Sequence, residues 1–200
     1  GIPEGATITS GTDSFTATSG STAVDVTGWD LTSLQITPPA DSDADFTLNV
    51  TATSTEADGG DTASTVGSIA VSVDPDADAP TLIVNDAVGD EDTAIALDIT
   101  ASLNDPQEVL SLTIDGVPDG AVLTIINPGG NPVELSVTDG SATVPPGLLG
   151  GAISITPPTD FNGDIPLTVT AQSKHGDDNA SVSEDLTVSV SAVDDVPTLN

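Results

Sequence analysis

Three stretches of the sequence set a side-chain oxygen at every second residue: Asp41-Ser-Asp-Ala-Asp45, Asp74-Pro-Asp-Ala-Asp78 and Asp160-Phe-Asn-Gly-Asp164. That spacing suits a hard divalent cation. Calcium takes about six to eight oxygens at roughly 2.3–2.6 Å, and an Asp-x-[Asp/Asn]-x-Asp turn can direct several of them at one ion. An EF-hand is excluded, because its loop needs Gly at the sixth position and Glu at the twelfth. Phe46 and Ile165 stand at the sixth position here and begin apolar alternation. What remains is a loop site completed by ligands from elsewhere, with Asp41, Asp43, Asp45, Asp74, Asp76, Asp78, Asp160, Asn162 and Asp164 as candidates.

The Asp74–Asp78 stretch is the strongest of the three, since Pro80 follows it at a module boundary. Asp86 and the Asp90-Glu91-Asp92 run are expected to return to that junction and share the ion, and Asp194 and Asp195 stand in the equivalent place further on. Asp105 and Glu108 form a second candidate with acids of neighbouring loops. Without a cation these carboxylates repel one another and the joint flexes.

Overall charge points the same way. There are 32 acidic residues, 26 of them Asp, against the single Lys174, for a formal net charge of −31. Such a chain is repelled by nucleic-acid phosphates and anionic membranes, which removes both as expected partners. The bland alternative is an acidic, solvated surface; clustering of the acids favours calcium over it. Cysteine is absent, so no disulfide can staple a small module and bound ions are a natural substitute. No apolar run approaches the ~20 residues of a membrane span. The lone His175 sits in Lys174-His-Gly-Asp-Asp178, which reads as a loop tip with a solvated or hydrogen-bonded imidazole. Nothing singles out two carboxylates for acid–base work, and the chain is expected not to be an enzyme.

The elements that hold these acids emerge when the chain is laid on itself. Gly1-Ile-Pro-Glu-Gly5 matches Gly116-Val-Pro-Asp-Gly120 at an offset of 115, and Ile36-Thr-Pro-Pro39 matches Ile155-Thr-Pro-Pro158 at 119. Leu48-Asn-Val-Thr-Ala52 matches Leu167-Thr-Val-Thr-Ala171 at 119, and Asp78-Ala-Pro-Thr-Leu82 matches Asp195-Val-Pro-Thr-Leu199 at 117. The repeat is therefore roughly 117 residues long. One complete module is expected over 80–200, preceded at 1–79 by a module lacking any counterpart of Thr81–Asp115.

Within each module, apolar residues alternate with polar ones. Examples are Phe46, Leu48 and Val50; Ile95, Leu97 and Ile99; Leu110, Leu112 and Ile114; and Ile165, Leu167 and Val169. Period-two alternation between Gly, Pro, Asn and Asp turns predicts half-buried antiparallel strands. The expected fold is all-β, two tandem antiparallel β-sandwich modules, the first incomplete at its N-terminus. Trp29, between Gly28 and Asp30, is expected to cap the first module's core.

In this order, Asp90-Glu-Asp-Thr93, Asp105-Pro-Gln-Glu108, Leu110-Ser-Leu-Thr-Ile114, Gly116-Val-Pro-Asp-Gly120, Asp160-Phe-Asn-Gly-Asp164 and Asp195-Val-Pro-Thr-Leu199 resemble the tandem cadherin-like or Ig-like repeats of giant RTX adhesins. The resemblance implies a calcium-stabilised extender module of a type I-secreted protein at the bacterial surface. Its partners would be neighbouring modules of the same chain, with glycan, protein or ice bound through an adjacent domain, and the chain itself monomeric. The acidic loop before the Leu-Ser-Leu-Thr strand is shorter here than in those repeats. The alternative function is a split module that hosts or forms a sugar-, protein- or ice-binding domain.

Overall fold

A computed structural model describes residues 1–194, and the chain divides into two compact units, Gly1–Pro75 and Asp76 onward. Asp195 lies outside the described residues. In the first unit, β1 (Thr7–Ser10) runs antiparallel between β2 (Asp13–Thr16) and β3 (Gln35–Thr37). A separate hairpin pairs β4 (Phe46–Thr55) with β5 (Thr62–Val71) over ten residues each. Its turn closes through the Glu56 N–H on the Asp61 carbonyl and through Gly59 and Gly60, both at positive φ. The buried core of this unit is only Ile2, Ala6 and Ala17, with Ile8, Phe15, Val24, Ile36 and Leu48 packed against it. Trp29 is half-buried in the turn its N–H closes on Val26, and is not among the side chains packed on that core.

The second unit is a complete sandwich of two five-stranded sheets. In chain order its strands are β6 (Thr81–Asn85), β7 (Ala87–Asp90), β8 (Ile95–Ser102), β9 (Val109–Asp115), β10 (Val122–Ile126), β11 (Pro132–Glu134), β12 (Ser141–Val144), β13 (Ile153–Thr156), β14 (Gly163–His175) and β15 (Asp178–Ser191). One sheet has the order β11-β10-β13-β8-β6, the other β12-β9-β14-β15-β7. Alternation puts Ile95 and Leu97, Leu112 and Ile114, Leu123 and Ile125, Ile165, Leu167 and Val169, and Leu186, Val188 and Val190 into one buried cluster. These are the inner faces of two packed sheets, as the period of two requires. A single 3-10 turn (Pro146–Leu148) interrupts the strands, and no helix among the described residues is long and apolar enough to cross a membrane.

One pairing departs from the antiparallel expectation. β6 pairs with β8, but after Asp86 the chain crosses to the other sheet and β7 runs parallel to β15. The Asp86 carboxylate accepts the Thr187 N–H at 2.8 Å, which fixes the crossing point. Because no hairpin joins β7 to β15, nothing forces them antiparallel.

The repeat survives in three dimensions. Gly5 and Gly120 have φ of +88° and +87°, and each backs onto the equivalent proline, Pro39 or Pro158. Asp41 and Asp160, equivalent at an offset of 119, both adopt φ of 55°. Isolated bridges Thr18–Ser21 and Thr138–Ser141 recur as well. The first unit thus carries counterparts of β10, β11, β13, β14 and β15, and none of β6 to β9.

Candidate metal centre

In the second unit the β8–β9 loop and the β14–β15 turn meet the incoming chain at one end of the sandwich. Asp105 is 1% exposed and Glu108 5% exposed. The loop between them is an Asx turn: the Gln107 N–H donates to Asp105 Oδ1 at 2.8 Å, and the Glu108 N–H to the Asp105 carbonyl at 3.3 Å. Pro106 supports it by fixing φ at the turn's second residue. His175, the last residue of β14, brings Nδ1 to 3.9 Å from Asp105 Oδ2. One ligating atom from each of Asp105, Glu108 and His175 lies within 4.8 Å of the others.

The incoming segment is tied to the same end by four side chains. Glu108 Oε1 accepts the Asp78 N–H, and the fully buried Ser173 hydroxyl donates to the Asp78 carbonyl. The Asn104 side chain donates to the Ala79 carbonyl at 2.7 Å, and Asp178 Oδ2 accepts the Ala77 N–H at 3.4 Å. Hydrogen bonds from the Asn179 and Ala77 N–H groups, with the Asp76 side chain also in contact, hold the exposed Asp178 carboxyl below its ordinary pKa. One end of the unit therefore assembles Asp76, the Asp78 backbone, Asp105, Glu108, His175 and Asp178.

The charge at this site is unbalanced. Two carboxylates within 4.8 Å of one another repel by roughly 3 kcal/mol whenever both are charged, at an effective dielectric of about 20. Glu108 Oε2 is buried with no hydrogen-bond partner among the described residues, and a buried unsatisfied carboxylate oxygen is costly. A cation among these oxygens removes both penalties. The donor set fits one: Asp105 and Glu108 offer hard oxygens suited to calcium, while the His175 nitrogen suits a transition ion better.

The other candidate ligands lie elsewhere. Asp90, Glu91 and Asp92 do not return to Asp76 and Asp78. Asp90 pairs with Ser191 at the far end of β15, and Asp178 begins that strand. Thirteen strand steps of about 3.3 Å separate the two ends by roughly 40 Å. Glu91 is buried there, its Oε1 accepting the Val193 N–H at 2.7 Å. Asp92 Oδ1 accepts the Asp160 N–H at 3.3 Å, so these two candidates are neighbours at that far end. Asn162 and Asp164 are exposed, and Asp164 takes the Ser189 hydroxyl at 2.8 Å. Asp194 is exposed. Asp74 belongs to the first unit, as do Asp41, Asp43 and Asp45, all exposed; Asp45 accepts the Val73 N–H at 2.9 Å.

Sequence reading missed His175, Ser173 and Asp178 as members of the cluster. The Lys174–Asp178 stretch reads in sequence as a loop tip, and the pairings of β14 with β9 and β15 that bring these side chains to the site leave no local signal. An open groove lined by Val133, Glu134, Leu135, Thr138, Ser141 and Thr143 carries one titratable side chain, Glu134. Comparison with protein-family models and with curated proteins found no match to the chain.

Proposed function

We propose that the chain is a calcium-stabilised, non-catalytic extender of a bacterial surface adhesin, and that Asp105 and Glu108 are the principal oxygen donors of one ion. The observation that carries this reading is the pair of buried carboxylates at the end of the β-sandwich where the chain enters it, one oxygen of Glu108 having no hydrogen-bond partner among the described residues. The repeat of roughly 117 residues supports a spacer built by stacking modules. An ion there would hold the β8–β9 loop to the β14–β15 turn and keep the Ala77–Ala79 segment clamped through Glu108. Function then lies in stiffness and reach, and the ligand of the adhesin is met by another part of it.

The test is thermal unfolding of the whole chain in EDTA and in millimolar calcium at matched ionic strength. Binding to the folded state at a hundred times Kd adds about 2.7 kcal/mol, visible as a clear rise in Tm. Equal melting in the two buffers would remove calcium from the reading and leave the acids as solvated surface.

A further inference from the structure

The first unit has sheets whose counterparts in the second unit are paired on both sides, and its apolar side chains show the difference. Leu34, Val50 and Ile69 are 39%, 48% and 53% exposed, whereas their repeat equivalents Ile153, Val169 and Leu186 are 6%, 0% and 2% exposed. The register of the second unit says what is missing. There β13 pairs with β8, β14 with β9, β12 with β9, and β15 with β7. Among the described residues, β3 of the first unit pairs only with β1 and β4 only with β5, which leaves an open edge on each. Residues 21–24, equivalent to β12, form no strand, because the β9 counterpart that would pair with them is missing.

We infer that the first unit is a strand acceptor: the open edges of β3 and β4 take a polypeptide segment of the Thr81–Asp115 type. The interfaces involved are already formed in the second unit, so the occupant's chemistry is specified. It must add strands by backbone hydrogen bonds to both edges, as in β-augmentation. It must also bring alternating aliphatic side chains to the exposed inner face. Within Thr81–Asp115 those are Leu82, Ala87, Ile95, Leu97, Leu112 and Ile114, all in the buried cluster of the second unit. Gly1-Ile-Pro-Glu-Gly5 repeats the turn that directly follows Asp115, which makes it a natural place to attach such a segment for a test. Long, open, apolar-faced edges invite pairing unless they are covered. This inference does not depend on calcium.

The experiment fuses a second copy of residues 81–115 directly in front of Gly1 of the whole chain, with a scrambled copy as control. Hydrogen exchange read by mass spectrometry should slow at the free edge of β4, around Asn49–Thr55, on the order of a hundredfold relative to the scrambled fusion. Peptides from β14 serve as the internal standard for a folded chain. Val50→Asp in the fused chain should restore fast exchange, since it would bury a charge. Equal exchange in the fused and scrambled chains overturns the proposal. So does an unfused chain that is dimeric by light scattering with its β4 edge already protected, because a second copy would then be the occupant.

Discussion

Leu186 and Ile69 occupy the same place in the repeat, yet one is 2% and the other 53% exposed. Truncating each to alanine removes three carbons. For Leu186 the lost transfer free energy is about 2.4 kcal/mol at roughly 0.8 kcal/mol per carbon, and the cavity left in a packed core brings the cost to about 3–4 kcal/mol. For Ile69, half the area is already in water and no closed cavity forms, so the cost is about 1 kcal/mol. Urea titration reads the two separately. Trp29 is the only tryptophan and lies in the first unit, so its fluorescence follows that unit, while far-UV circular dichroism is dominated by the ten strands of the second. With a slope of about 2 kcal/mol per molar, Leu186→Ala should lower the dichroism midpoint by roughly 1.5–2 M, and Ile69→Ala should lower the fluorescence midpoint by about 0.5 M. Equal shifts would mean that the face bearing Ile69 is covered in solution, and the argument from exposure would fail.

Other perturbations separate the roles of the acids and of the backbone. Glu108→Gln should raise the Tm in EDTA, because it removes a buried charge facing Asp105, and should abolish the calcium-dependent rise; calorimetry in both buffers decides. Ser173→Ala leaves the Asp78 carbonyl without its buried donor and should cost about 1–2 kcal/mol by denaturant titration. The pKa of Asp178 is lowered in the folded state, so its contribution is complete above the ordinary aspartate value and is lost as pH falls through the lowered one. Melts of the parent and of Asp178→Asn should therefore differ at neutral pH and converge below about pH 4; a gap persisting at pH 2 would refute the assignment. Gly116→Ala should be far worse than Gly130→Ala. Both sites have φ near +80°, but a methyl at Gly116 would meet the Pro166 carbonyl at 2.5 Å, while Gly130 faces open space. The first should cost several kcal/mol and the second about 1 kcal/mol.

The sandwich was legible because its signal is local. Ile165, Leu167 and Val169 alternate, and a strand with that pattern buries one face wherever it pairs. The crossing at Asp86 was not legible, since Ala87–Asp90 offers only two apolar side chains and its partner, β15, lies about a hundred residues away in sequence. The first unit's missing strands followed from counting the repeat, whereas the exposure of Leu34, Val50 and Ile69 needed the structure. For the site, Asp105 and Glu108 were found as acids, but what sets them apart is burial together with convergence on one point; Glu91 is buried too, at the other end of the sandwich, and sequence carries neither property for a loop. His175 shows the same limit: a Lys-His-Gly-Asp-Asp turn is polar whether or not another loop packs on it.

Several of the chain's acids, Asp45, Asp86 and Glu91 among the candidate ligands, turn out to hold backbone N–H groups. Asp45 takes Val73, Asp86 takes Thr187, Glu91 takes Val193, Asp178 takes Ala77, and Asp25 and Asp30 take Thr27 and Thr32 two residues on. A carboxylate on a short stem reaches a strand end that no neighbouring strand can satisfy, which is where a sandwich of many turns has donors to spare. That use explains an Asp-rich chain without any ion. Asp105 and Glu108 hold backbone N–H groups too, those of Gln107 and Asp78, but that use does not explain why two buried carboxylates converge there beside the His175 imidazole. Calcium dependence, if it originates there, must follow those two residues alone: Asp45→Asn, Asp86→Asn and Glu91→Gln should each leave the calcium-induced rise in Tm unchanged, whatever they do to the baseline. Loss of that rise on Glu91→Gln would move the ion to the opposite end of the sandwich, where Glu91 and Asp92 lie beside Asp160.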